Sequence, residues 1–295
     1  MKTLITAFAL VFVMSLAHGA EYIIKDAWYE EDLSPDERTA LVERSKKEPF
    51  AEIAPIILKA LVDYQPFYGI NPWGDTPWNN DQLTRRDRIY LMASAVWQHH
   101  MSPKDELAKA KILLSLLQKA SGQTEKSILI SAIMNKQWCP EAEAILLSLA
   151  KNKEENLGIR RASASALLSR SDINTYIPLA VEIILAHKKG LDRCQAFNLT
   201  TNQGNRLFTL TEQNKQMLLS AGFQTIMELP DKDLQAGYFA ARHLGFILKI
   251  HGEFAPDQKD RRYQGKHGLA DEFFIDTVKN AIKWYSKKKK EIESN

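Results

Sequence analysis

The chemistry-bearing residues of this chain are few and scattered. His99 and His100 are adjacent, and adjacent side chains on a helix point about 100° apart, so they do not share a face. A helical metal pair needs a separation of three or four. No HExxH, CxxC or calcium-loop spacing occurs, and no nucleophile elbow, phosphate loop or dinucleotide fingerprint. No cofactor is expected. Two loops remain. Residues 64 to 81, "YQPFYGINPWGDTPWNND", gather Tyr64, Phe67, Tyr68, Trp73 and Trp78 among prolines, glycines and asparagines. Such rings either anchor a partner at an interface or fold back as a cap on the fold. Residues 251 to 268 mix Arg261, Arg262, Lys259, Lys266 and His267 with acids. That stretch is either an anion-docking site or a solvated connection.

Composition narrows the class. The 295 residues are 45% hydrophobic and 25% charged, enough apolar content for a sizeable core. The formal net charge is +3, near +2 once Lys2 is removed with a leader. So weak a balance argues against a dedicated nucleic-acid binder. The opening "MKTLITAFALVFVMSLAHGA" has a positive n-region, an apolar run over 4 to 16, and small residues before a cut after Gly19 or Ala20. Residues 1 to 20 are expected to be a cleavable signal peptide. No cysteine stands at the junction for a lipid anchor, and no later stretch suits a membrane span. The expected location is the periplasm or the exterior.

The elements that must position these residues read as helices. Ser34-Pro35-Asp36-Glu37, Ser102-Pro103, Thr124-Glu125, Cys139-Pro140 and Pro230-Asp231 are helix starts, and Gly268 precedes a last helix over 270 to 291. Ile112, Leu113, Leu116 and Leu117 share a face. So do Ile145, Leu146 and Leu149, and so do Phe274, Val278, Ala281, Ile282 and Tyr285. No sustained alternation is present. The fold class is all-α.

The helices come in pairs. A small or polar residue precedes a hydrophobic one at Ala95-Val96, Ala132-Ile133, Ala166-Leu167, Asn198-Leu199 and His243-Leu244, at spacings of 37, 34, 32 and 45 residues. Periods of that size mark helical repeats, each of which buries its face only by stacking on the next. "IRRASASALL", with Ile159, Arg160, Ala162, Ala164, Ala166 and Leu167, resembles the second helix of a HEAT repeat. The preceding "EAILLSLAKNKEEN" resembles that repeat's first helix. Elsewhere the match loosens: Arg88 and Glu125 replace the aliphatic residue, and Asp192 replaces the arginine.

The resemblance implies an α-α superhelix: an N-terminal cap and aromatic loop over 21–81, helix pairs over 82–250, and a loop and capping helix over 251–295, all one domain. It implies that second helices line a concave face, carrying Arg88, Lys126, Arg161 and Arg242. With Tyr68, Trp73 and Trp78 these are the candidate binding residues for a protein partner. Cys139 and Cys194 fall on opposite edges of such a stack, too far apart for a disulfide. The run "KKKKEIE" suits a helix C-terminus, either as a solvated cap or as a membrane-surface contact. The expected function is non-catalytic protein recognition, as an adaptor or an immunity-type inhibitor. The alternative is an all-α secreted polysaccharide lyase or hydrolase, with a tyrosine or histidine base and an arginine on a uronate.

Overall fold

The computed structural model describes residues 33–64, 77–79, 83–102, 106–135, 138–188, 190–228, 234–247 and 271–293, with short pieces between 254 and 269. Residues 1–20, and with them the expected signal peptide, lie outside the described residues. So do Phe67, Tyr68 and Trp73 of the aromatic loop, and the helix start expected at Pro230-Asp231. Thirteen α-helices lie among the described residues, together with a two-residue antiparallel hairpin, Gln264–Gly265 against Gly268–Leu269. The fold is all-α, as the apolar spacing predicts. No helix is long and apolar enough to cross a membrane among the described residues.

The chain divides into two compact units, Met1–Ala132 and Ile133–Asn295. The first holds α1 (Pro35–Ser45), α2 (Phe50–Asp63), α3 (Arg85–His100), α4 (Glu106–Lys119) and most of α5 (Gln123–Met134). Its local chemistry is explicit. Ser34 and Glu37 close a reciprocal capping box at α1, and Thr84 and Asp87 do the same at α3. α2 packs on α3 and α4, and α1 packs on α3. Val42, Ala54, Ile57, Ala60, Ala93 and Val96 are fully enclosed.

The second unit holds the end of α5, then α6 (Pro140–Lys151), α7 (Leu157–Arg170), α8 (Ile173–Ala186), α9 (Leu191–Ala196), α10 (Asn198–Thr201), α11 (Glu212–Met227), α12 (Leu234–Ile247) and α13 (Asp271–Glu293). Their contacts sort into two rows. α6 packs on α7, α7 on α8, α8 on α9, and α11 on α12. Between successive pairs, α8 meets α11, while α7 meets α10, and α9 and α10 meet α12. Tyr176 of α8 donates to Glu143 of α6. First helices α6, α8 and α11 therefore form one row, and second helices α7, α9–α10 and α12 form the other. α13 closes the arrangement against α11 and α12.

Small residues allow the tight packing between rows. Ala142, Leu146 and Ala150 of α6 are fully buried, as are Ser163, Ala164, Ala166, Leu167 and Leu168 of α7. The predicted apolar faces are displaced by about one position. Ile145 and Leu149 of α6 are half-buried flanks of an alanine-centred seam. In α13 the buried line is Phe273, Thr277, Ala281 and Tyr285, with Phe274, Val278 and Ile282 beside it. Hydrophobicity marks the wide face, whereas close approach selects small residues for its centre. Cys139 caps α6 and Cys194 lies inside α9; both are buried free thiols.

Candidate functional site

Each candidate residue has a definite place where it is described. Trp78 sits in a 3-10 turn, Pro77–Asn79, that packs on α1 and α3, and it is only 4% exposed. Asn79 pins the same turn: it accepts from Arg38 Nε at 3.3 Å and donates to Thr39 Oγ1 at 3.1 Å. This end of the aromatic loop is folded into the first unit, so Trp78 holds the loop down rather than offering its ring to solvent. Arg88 of α3 and Lys126 of α5 are half-buried.

In the second unit Arg161 is half-buried on α7 and Arg242 is exposed on α12, the two ends of the second-helix row. Between them α9 and α10 expose Asp192, Gln195 and Asn198, and Asn202 follows. Ser165 and Ser169 on α7 are half-buried. The row therefore presents hydroxyls and amides framed by two arginines, with one acid.

The neighbouring arginine, Arg160, does the opposite. It is buried, its Nε donates to the Ala150 carbonyl at 3.0 Å, and its Nη2 meets Glu182 of α8 at 3.0 Å. It thereby satisfies a carbonyl at the open end of α6 and ties it to the next first helix. Arg193 repeats this one unit later. Its Nε and Nη2 donate to the carbonyls of His187 and Leu185 at 3.2 and 3.1 Å, and its Nη1 meets Glu228 at 2.8 Å. Asp192 is exposed beside it. The repeat arginine is thus present at 193, one residue beyond the position where spacing places Asp192. The difference lies between the arginine and the closing leucine: seven positions from Arg160 to Leu167, but six from Arg193 to Leu199, across the break between α9 and α10 at Phe197.

A second arginine series closes the ends of the second helices. Arg170 Nε donates to the Met134 carbonyl at 2.6 Å, at the end of α5 within the second unit. Arg206 donates to the carbonyls of Leu168 and Ser171 at the end of α7. Arg160 matches the repeat pattern, but spacing does not single out Arg170, Arg193 or Arg206. Their signal is the recurrence of arginine at near-repeat intervals.

The histidines are structural in their surroundings. His100 Nε2 lies 3.1 Å from the Ser45 carbonyl and its ring lies 5.5 Å from that of Phe50, while His99 is exposed. Burial holds His100 below the usual imidazole range. His187 is lowered by burial and then by Arg161. His243 stacks on Phe197 at 6.5 Å, and burial, with Arg242 beside it, pushes it down to about 4. Tyr176 is pushed up to about 12 by burial and by its bond to Glu143, which also accepts from Trp138 Nε1 at 3.5 Å. No cluster of three or more metal-ligating side chains occurs among the described residues. In the loop over 251–268, Arg262 Nε and Nη2 bond Asp260 at 3.0 and 2.7 Å, and Asp260 is held below its usual range by that partner. Arg261, Lys266 and His267 lie outside the described residues.

No family model, curated protein or solved structure matches the chain.

Proposed function

We propose that this chain is an exported, non-catalytic protein-recognition module built of HEAT-like helix pairs, an adaptor or an immunity-type inhibitor. Its partner docks on the outward side of the second-helix row in the Ile133–Asn295 unit. The observation that carries the reading is the division between two sets of arginines. Arg160 and Arg193 turn inward and close helix ends, while Arg161 is half-buried and Arg242 exposed on the same row. Surface guanidiniums flanking hydroxyls and amides suit an acidic, hydrogen-bonding partner surface. Tyr176 supports the non-catalytic reading, because a phenol raised to about 12 and hydrogen-bonded to a carboxylate keeps its proton.

The test is a pull-down from periplasmic extract with the wild-type chain and with the pair Arg161→Glu and Arg242→Glu. A stoichiometric partner that the charge reversal releases supports recognition. Turnover of an acidic glycan, abolished by replacing a tyrosine or histidine, overturns it in favour of a lyase. N-terminal mass determination of the exported chain tests processing after Gly19 or Ala20.

A further inference from the structure

The helix α13 is 23 residues long, and its buried side chains lie in its first four turns. Phe273, Thr277, Ala281 and Tyr285 recur every four residues and are buried. Tyr285 stacks on Phe223 at 4.1 Å, and Trp284 is held between Phe223 and Phe254 at 6.0 and 5.8 Å. Asn280 Nδ2 donates to the Phe254 carbonyl at 3.1 Å. Beyond Tyr285, every residue from Ser286 to Lys290 is exposed.

The opposite side carries only cationic charge over this stretch. Thr277 to Lys290 contains six lysines and no acid. Lys279, Lys283 and Lys287 each follow a buried residue by two positions, about 200° around the helix, and Lys290 extends the line by nearly one more turn. All four are exposed. Together they span roughly 17 Å along the axis at 1.5 Å per residue. Asp276, Glu291 and Glu293 stand three or four residues from Lys279, Lys287 and Lys290 at the ends of the row, but between them the lysines have only like charges at helical spacing, which repel one another, so the array gains from a polyanion laid along it.

We infer that the lysine face of α13 is a docking surface for an anionic lipid bilayer, with the helix lying on the headgroups and not inserting. Three features select lipid over other polyanions. The segment has no arginine, and lysine acts as a hydrated point charge without the bidentate fork that reads a particular phosphate or carboxylate geometry. Its two large rings, Trp284 and Tyr285, are engaged with Phe223 and Phe254, so this face offers no platform for stacking bases. The row runs along the side of the helix opposite its buried residues, which matches an extended charged plane better than a narrow acidic peptide. Lysines near an anionic membrane surface contribute about tenfold in binding for each one or two residues.

The experiment is co-sedimentation of the full chain with vesicles of equimolar phosphatidylglycerol and phosphatidylcholine, and with phosphatidylcholine alone. The neutral vesicles control for apolar insertion through residues 4–16. The expected result is binding to the anionic vesicles only, released as salt rises past about 0.5 M, where charges are screened within a few ångströms. The combined variant Lys283→Gln, Lys287→Gln and Lys290→Gln is expected to bind about a hundredfold more weakly, with an unchanged circular dichroism spectrum. Equal binding to neutral vesicles, or binding indifferent to salt, overturns the inference without any variant. So does retention of binding by the triple variant, and so does capture of polyglutamate or an oligonucleotide by a chain that leaves the vesicles unbound.

Discussion

Arg193 makes, one helix pair further along, the same kind of link that Arg160 makes, with one carbonyl bond more. Arg160 donates to the Ala150 carbonyl and Arg193 to those of Leu185 and His187, at the C-terminal end of the preceding first helix, and each pairs with a carboxylate of the next, Glu182 within α8 and Glu228 at the C-cap of α11. The two are 33 residues apart. Both are buried, and each pairs with a carboxylate that keeps some contact with water. The α8 helix is therefore held from both sides, through Glu182 by Arg160 and through Leu185 and His187 by Arg193.

Replacing either buried arginine removes this link and leaves helix-end carbonyls unpaired. Arg160→Met and Arg193→Met should each cost about 2–4 kcal/mol. Arg161→Met, one residue along and only half-buried, should cost less than either, about 1 kcal/mol or under. Urea denaturation measures all three. Equal losses at 160 and 161 would show that the inward and outward roles are not divided as described.

Pro178 lies inside α8 and has no N–H for the carbonyl of Asn174, four residues earlier. That carbonyl accepts instead from Asn214 Nδ2 at 2.8 Å, and the same amide also meets Asn174 Oδ1 at 3.1 Å. Asn174 Oδ1 in turn accepts from the Thr211 amide. Asn214→Leu should therefore lose about 1–3 kcal/mol, the cost of stranding an acceptor at the seam between two helices. Thermal melting that leaves this variant as stable as the parent would break the account.

Gly222 in α11 faces Leu244 of α12 so closely that an added Cβ would stand 2.3 Å from Leu244 Cδ2. Glycine to alanine in a helix ordinarily stabilises by about 1 kcal/mol. Here Gly222→Ala should instead destabilise by about 1–3 kcal/mol, because Leu244 is buried and must move. Adding Leu244→Val should recover part of the loss. A stabilised single variant would mean that the two helices are not in close contact.

Acid should loosen the fold through His243. Its folded pKa is lowered from 6.5 to about 4, so the unfolded chain binds the proton first. Stability from this group is complete above about pH 6.5 and is lost as pH falls towards 4. The whole shift corresponds to about 3 kcal/mol. His243→Gln should flatten the fall of melting temperature with pH over that window, measured against the wild-type chain. Identical slopes would show that His243 titrates normally.

Helix type and several boundaries were legible because they rest on local chemistry. Ser34 with Pro35 and Glu37 carries its own cap, and Cys139-Pro140 opens α6 where the proline predicts. The pairing of helices was legible from the interval between steps of a small or polar residue followed by a hydrophobic one. The repeat arginine was mis-registered at Asp192, because the break between α9 and α10 at Phe197 shortens the step from arginine to leucine by one residue, which pattern spacing does not show and which rotates a side chain by about 100°. The aromatic loop was legible as unusual, yet Trp78's burial depends on α1 and α3, which its own loop does not encode.

By itself the amino-acid sequence determined that this chain is helical and that its helices come in pairs. Those properties follow from residue periodicity, capping chemistry and the count of residues per pair. Only the tertiary structure decided which arginines turn inward, which small residues form the seams, and that Trp78 is buried. Each of those depends on what another helix brings to the contact, and a helix alone presents every side chain to solvent.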